Sequence, residues 1–116
     1  MDETNIRLAR WIGWEVRDDG YWRVSPEASG WGTPKYLPDF TTDLNACFRW
    51  IVPKVFSVTI GTHWKTNTEK TDKYFARIDQ QDMTNYTEVA DTPALALCLA
   101  VDKLIKEKED ERETAL

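Results

Sequence analysis

Few residues in this sequence could do chemistry. His63 is the only histidine, beside Trp64 at an expected strand end. An imidazole can act as a general base or a metal ligand, but it needs a positioned partner for the first role and further ligands at suitable spacing for the second. None accompanies His63, so packing at a surface or interface is the favoured reading. Cys47 and Cys98 would need exposure and a lowered pKa to act as nucleophiles. Both fall inside apolar helical patterns and read as small buried hydrophobes of a reducing compartment. Asp39 and Asp43 stand four apart at an expected helix start, a spacing that would also suit paired carboxylates. Capping explains them better, with Asp43 at the positive end of the helix and Asp39 in the preceding loop. Gly30-Trp31-Gly32 is too short to cradle a phosphate and is followed by neither a lysine nor a helix. No catalytic residue, metal-ligand set or cofactor is implied, and the chain reads as non-enzymatic.

The aromatic residues are the remaining chemistry. Six tryptophans stand at positions 11, 14, 22, 31, 50 and 64, each with roughly 150–250 Å² of largely apolar surface and an N–H that needs a partner. Trp11, Trp14, Trp22 and Trp50 occupy helix or strand positions that suit a core. Trp31, with Tyr36 and Phe40 near it in sequence, lies in an irregular stretch, and Trp64 is ambiguous. Aromatics in such a stretch either fold back as a lid or stand as a binding patch, since Trp and Tyr are favoured interface anchors. Trp31, Tyr36, Phe40 and Trp64 are therefore the candidate binding residues. The first reading is a surface for a phage or host protein, or for self-association. The second is a tryptophan-lined pocket for a small molecule or nucleotide, with Trp31 or Trp64 stacking on a base.

The elements that must position these residues follow from periodicity. Thr4 to Ile12 spaces Ile6, Leu8, Ala9, Trp11 and Ile12 as on an amphipathic helix, with Gly13 at its stop. Residues 14–17 and 21–24 alternate around Asp18-Asp19-Gly20, which predicts a hairpin with Trp14, Val16, Trp22 and Val24 on its inner face. Pro26 to Pro38 has no periodicity and reads as a long irregular loop, the first place to look for a site. A second helix is expected from Phe40-Thr41-Thr42-Asp43, with Leu44, Phe48, Ile51 and Val52 as its apolar stripe and Pro53 as its end. Strands are expected at Phe56–Trp64, Tyr74–Asp79 and Asn85–Ala90. Asp91-Thr92-Pro93, an N-cap followed by proline in the first turn, opens a last helix that is apolar almost all round to Ile105. The charged residues from Lys106 onward are expected to carry that helix into solvent, with 107–116 as a frayed tail. This order predicts one α+β domain over residues 1–116. It should be a layered sandwich in which an antiparallel sheet of about four to five strands packs with three helices.

A chain of 116 residues with 41% hydrophobic, 12% aromatic and 30% charged residues can bury a core and is not a disordered sequence. Its 20 acidic against 15 basic residues, net −5, supply no Lys/Arg stripe, so direct nucleic-acid binding is not expected. No basic segment followed by an apolar run opens the sequence, and no stretch approaches the roughly 18 apolar residues of a membrane span. The expected location is the cytoplasm of a bacterial host cell.

Specific strings add to this. The run Leu37-Pro38-Asp39-Phe40-Thr41-Thr42-Asp43-Leu44-Asn45-Ala46-Cys47-Phe48 and the tract Ala90-Asp91-Thr92-Pro93-Ala94-Leu95-Ala96-Leu97-Cys98-Leu99-Ala100 resemble the phage ABA sandwich domain family. Asn5-Ile6-Arg7-Leu8-Ala9-Arg10-Trp11-Ile12-Gly13-Trp14 is similar to that family's opening helix. In this sequence Thr-Pro follows Asp91 directly where the family often has Thr-Ala-Pro, which changes a cap only. The resemblance spans nearly the whole chain and implies a sandwich fold and a bacteriophage or prophage origin. It implies no catalytic residue.

Overall fold

Asn5, Leu8 and Ala9 are the buried residues of α1 (Glu3–Trp11), spaced one helical turn apart as an amphipathic helix requires. Gly13 ends the helix with φ +99°, a conformation open to glycine and costly for other residues. The N–H of Trp14 still donates to Ala9 O (3.0 Å), so the first strand begins only at the next residue. The computed structural model describes residues 3–25 and 30–115.

β1 (Glu15–Val16) and β2 (Trp22–Arg23) pair antiparallel as the predicted hairpin, in register Glu15 with Arg23 and Val16 with Trp22. Gly20, at φ +89°, turns the chain between them. Of the expected inner face, Trp14 and Val16 are buried and Trp22 is partly so, whereas Val24 is 49% exposed. The hairpin stops at Arg23, so Val24 has no strand opposite it to hold it inward. The ring of Trp14 is the hub of an aromatic cluster, stacked on Trp22 (centroids 5.3 Å), tilted on Phe40 (5.7 Å) and edge-on to Trp50 (5.1 Å). Trp11 packs against the same core from α1.

Asp43 caps the second helix as expected, its carboxylate accepting from Ala46 N at 3.2 Å. That helix is short: α2 (Leu44–Ala46) passes into a π-helical stretch, Cys47–Ile51, and then a 3-10 turn, Val52–Lys54. The widened turn, closed by the Val52 N–H onto Cys47 O, shifts the phase of the apolar stripe. Cys47 and Ile51 are buried while Phe48 stands 49% exposed. Pro53 sits within the final turn, where its missing N–H costs nothing.

β3 (Ser57–Trp64), β4 (Lys70–Asp79) and β5 (Asn85–Ala90) form an antiparallel meander with β4 in the centre. The five strands thus divide into a two-stranded and a three-stranded sheet, in place of the single sheet of four to five strands that local pairing suggested. α3 (Pro93–Ala115) lies across β4 and β5. Ala94, Ala96, Leu97, Cys98, Ala100, Val101, Leu104 and Ile105 are its buried side, and the small residues let the helix approach the sheet closely. Its cap is Thr92, within the expected Asp91-Thr92-Pro93 start, whose hydroxyl accepts from Leu95 N (3.2 Å); Asp91 is ion-paired with Lys73. The helix continues beyond its buried part through exposed residues 106–111 as far as Ala115.

α1 and α3 are clamped by Arg7 and Asp102. The guanidinium meets both carboxylate oxygens, Nε to Oδ1 at 2.8 Å and Nη2 to Oδ2 at 3.0 Å. Lys106 adds a contact at 3.2 Å. Among the described residues no helix is long and apolar enough to cross a membrane.

Candidate protein-binding surface

A two-stranded hairpin has two faces, and the period of two assigns Trp14, Val16 and Trp22 to one and Glu15, Arg17, Tyr21 and Arg23 to the other. The first face is core. The second carries the site.

Gly32 brings the loop onto this hairpin. It exchanges two backbone hydrogen bonds with Trp22, Trp22 N to Gly32 O at 3.1 Å and Gly32 N to Trp22 O at 2.7 Å. A Cβ at position 32 would lie 2.7 Å from Trp22 Cε2, so the indole closes over a position that only glycine fits. The same indole donates its N–H to Thr33 O (2.9 Å). With Gly32 fixed in extended backbone, its neighbour Trp31 is placed on the opposite, outer face.

There the Trp31 ring contacts two guanidinium groups. Arg23 Cζ is 4.3 Å from the ring centroid and Arg17 Cζ is 5.1 Å away. Arg17 also stands 5.6 Å from the Tyr21 ring, so the order along the face is Tyr21, Arg17, Trp31, Arg23. Each cation is tied down by a carboxylate: Arg17 Nη2 to Asp19 at 2.6 Å, Arg23 Nε to Glu15 at 2.8 Å. Cation–π contacts of this kind contribute roughly 0.5–1 kcal/mol each at exposed sites. The result is a set of flat, partly exposed groups in contact with one another on the outer face.

The structure separates the expected site residues. Trp31 lies on the ladder, half-buried. Tyr36 ends a 3-10 turn, Pro34–Tyr36, and is 69% exposed with Lys35 Nζ 5.7 Å from its ring centroid. Phe40 is fully buried against Trp14 and belongs to the core, which corrects its assignment to a surface. Trp64 closes β3 on the other sheet, its ring N–H donating to Thr62 Oγ1 (3.1 Å). The first part of the expected loop, Pro26 to Ser29, lies outside the described residues. Arg17, Tyr21 and Arg23 were missed as site residues, although the hairpin's alternation already places them on one face.

The candidate catalytic groups are spread apart. His63 is half-buried in β3, where its carbonyl accepts from Thr71 Oγ1 (2.9 Å). Asp39 accepts from the N–H and hydroxyl of Thr41 in the loop before α2, while Asp43 caps the helix. Cys47 and Cys98 are fully buried as free thiols with sulfurs 3.7 Å apart. Cys47 Sγ donates to Phe40 O (3.0 Å). The contact with Cys47, then burial, pushes the Cys98 thiol well above its ordinary value, the opposite of what a nucleophile needs. Among the described residues no group of three or more His, Cys, Asp or Glu could hold a metal ion.

Clefts among the described residues include five of 230 to 540 Å³, and neither Trp31 nor Trp64 lines any of these five. The largest runs between α1 and α3 with Trp11 and Ile105 on its walls. Its cations are already engaged, Arg7 by Asp102, Arg10 by Val16 O and Lys108 by Asp82 and Glu111.

No family model, no curated protein and no solved structure matches the chain.

Proposed function

We propose that this chain is a non-enzymatic protein that binds another protein through the hairpin face carrying Tyr21, Arg17, Trp31 and Arg23. The observation that supports it is the ladder itself. Trp, Tyr and Arg are the residue types that dominate binding hot spots. Here they are stacked and salt-bridged before any partner arrives, so little side-chain entropy remains to be lost on association. A core role does not require this arrangement, because Trp31 contacts charged groups on the outside of the hairpin while Trp14 fills the inside.

The alternation of Arg17 and Arg23 with Asp19 and Glu15 favours a protein surface over a phosphate backbone, which would meet carboxylates at every step. The resemblance of residues 37–48 and 90–100 to phage ABA sandwich proteins supports a phage or prophage accessory role and a sandwich-type fold. The partner would then be a phage or host protein in the bacterial cytoplasm.

The test is affinity capture from phage-infected cells with wild type, Trp31→Ala and Arg23→Ala, all first shown to be folded by circular dichroism. The reading expects a partner retained by wild type and lost from Trp31→Ala. Equal capture by all three proteins would overturn it, and a nucleotide panel that quenches tryptophan fluorescence would favour a pocket instead.

A further inference from the structure

We propose that β3 is a self-association edge, through which two copies of the chain pair antiparallel across a two-fold axis and join their three-stranded sheets into one. This surface is separate from the Trp31 face, and its test does not depend on that reading.

β3 is an edge strand: among the described residues β4 lies on one side of it and no strand on the other. Among the described residues, β4 is the element packed extensively against it, and α3 touches it at only a few positions. Apart from the ladder to β4, its backbone makes no backbone hydrogen bond to any described segment; the His63 carbonyl is taken by Thr71 Oγ1 near the bulge that follows Thr62. The outward amide and carbonyl groups of Ser57 to Thr62, the part of β3 before the bulge, are therefore left open.

Monomeric proteins blunt such edges with charges, prolines, bulges, shortness or a cover, and the bulge in β3 comes only after Thr62, leaving Ser57 to Thr62 in unbroken register. The sequence of β3, Ser-Val-Thr-Ile-Gly-Thr-His-Trp, has none of the first two. The opposite edge shows the contrast. β5 is six residues long, carries Glu88, and has α3 packed along it with Lys103 salt-bridged to Glu88 at 3.5 Å.

A second copy is the occupant these features fit. An antiparallel pair of identical strands is self-complementary under a two-fold axis, and an uncharged strand places no like charges opposite each other. Phe56, 67% exposed, stands just before β3 and Trp64, 49% exposed, at its end. Antiparallel pairing sets each Phe56 end beside the partner's Trp64 end, so both exposed aromatics acquire a neighbour. A foreign strand would gain the backbone bonds but not this symmetry.

Thr59 and Thr87 allow a matched test, because both are exposed and both stand opposite Arg77 of β4, one on each edge. Thr59→Glu and Thr87→Glu add the same charge beside the same arginine, so each should fold. Sedimentation of the full chain over a concentration series should show a wild-type dimer. Thr59→Glu should weaken it at least about tenfold, and Thr87→Glu should leave it unchanged. Amide exchange should show concentration-dependent protection in β3 and not in β5. A wild-type monomer at every concentration, a dimer indifferent to Thr59→Glu, equal weakening by both variants, or protection confined to β5 would each overturn the proposal.

Discussion

Phe40 N–H donates to Asn5 Oδ1 at 2.8 Å while Asn5 Nδ2 donates to Pro38 O at 2.7 Å, so one side-chain amide of α1 holds the backbone on both sides of Asp39. Asn5 is itself buried. The two bonds imitate a short strand pairing, and they deliver the Phe40 ring to Trp14. Removing the amide leaves the buried Phe40 N–H without its acceptor, a loss of about 1–3 kcal/mol. Asn5→Ala should lower stability by roughly 2–3 kcal/mol in urea unfolding, and Asn5→Asp by more, since it buries a carboxylate against a carbonyl. An Asn5→Ala protein within about 0.5 kcal/mol of wild type would sink this account.

That staple also marks where the sequence stopped being legible. Helix ends were readable because their signals are local: Gly13 needs its positive φ, Asp43 reaches only as far as Ala46, and Thr92-Pro93 opens α3. The hairpin was readable from Asp19-Gly20 for the same reason. Phe40 was not, because its burial depends on Asn5, a residue 35 positions away with nothing in its own neighbourhood to announce the contact. The division into two sheets was hidden in the same way. Short strands carry little pattern, and the partner that extends β2 is Gly32, inside a stretch with no periodicity. The π-helical turn at Cys47 is a third case, since a 3.6-residue period assumed for Leu44 to Val52 misplaces Phe48.

Gly32→Ala tests whether the ladder depends on the bridge beneath it. The new methyl would meet the Trp22 ring at 2.7 Å, and that ring cannot swing away without breaking its stack on Trp14 and its bond to Thr33. Overpacking of this kind costs about 1–3 kcal/mol. The variant should unfold at lower denaturant, show altered tryptophan emission, and lose partner capture in parallel with Trp31→Ala. Unchanged emission and stability would show that Trp22 does not lock the loop.

Asp102 makes the fold sensitive to acid. Burial alone would raise its carboxyl, but the hydrogen bonds from Arg7 and Lys106 outweigh that and hold it below its ordinary value of 3.8. A depressed folded value means that the unfolded chain binds the proton more readily. The stabilisation is complete above the ordinary value and disappears as pH falls through the folded one. Asp102→Asn should therefore cost about 2–4 kcal/mol near neutral pH by stranding Arg7, with the gap to wild type closing below about pH 4. A gap that stays constant down to pH 2 would place the acid sensitivity elsewhere.

Cys98 adds an alkaline dependence, with the opposite sign. Its folded thiol is raised by the sulfur of Cys47 and by burial between the π-helical turn and α3, so the unfolded chain loses the proton first. Stability is then full below the ordinary thiol value of about 8.5 and falls as pH rises beyond it, by up to about 1.4 kcal/mol per unit for one group. Cys98→Ala should flatten that alkaline slope while costing something at neutral pH for the lost sulfur contact. The same burial predicts that neither thiol reacts with iodoacetamide in the native state. Labelling should follow the rate of opening, rising with denaturant rather than with the ionisation of an exposed thiol. Rapid modification of either cysteine in buffer alone, with circular dichroism unchanged, would mean that the sulfur pair is reachable from solvent and that its thiols are not held in the core.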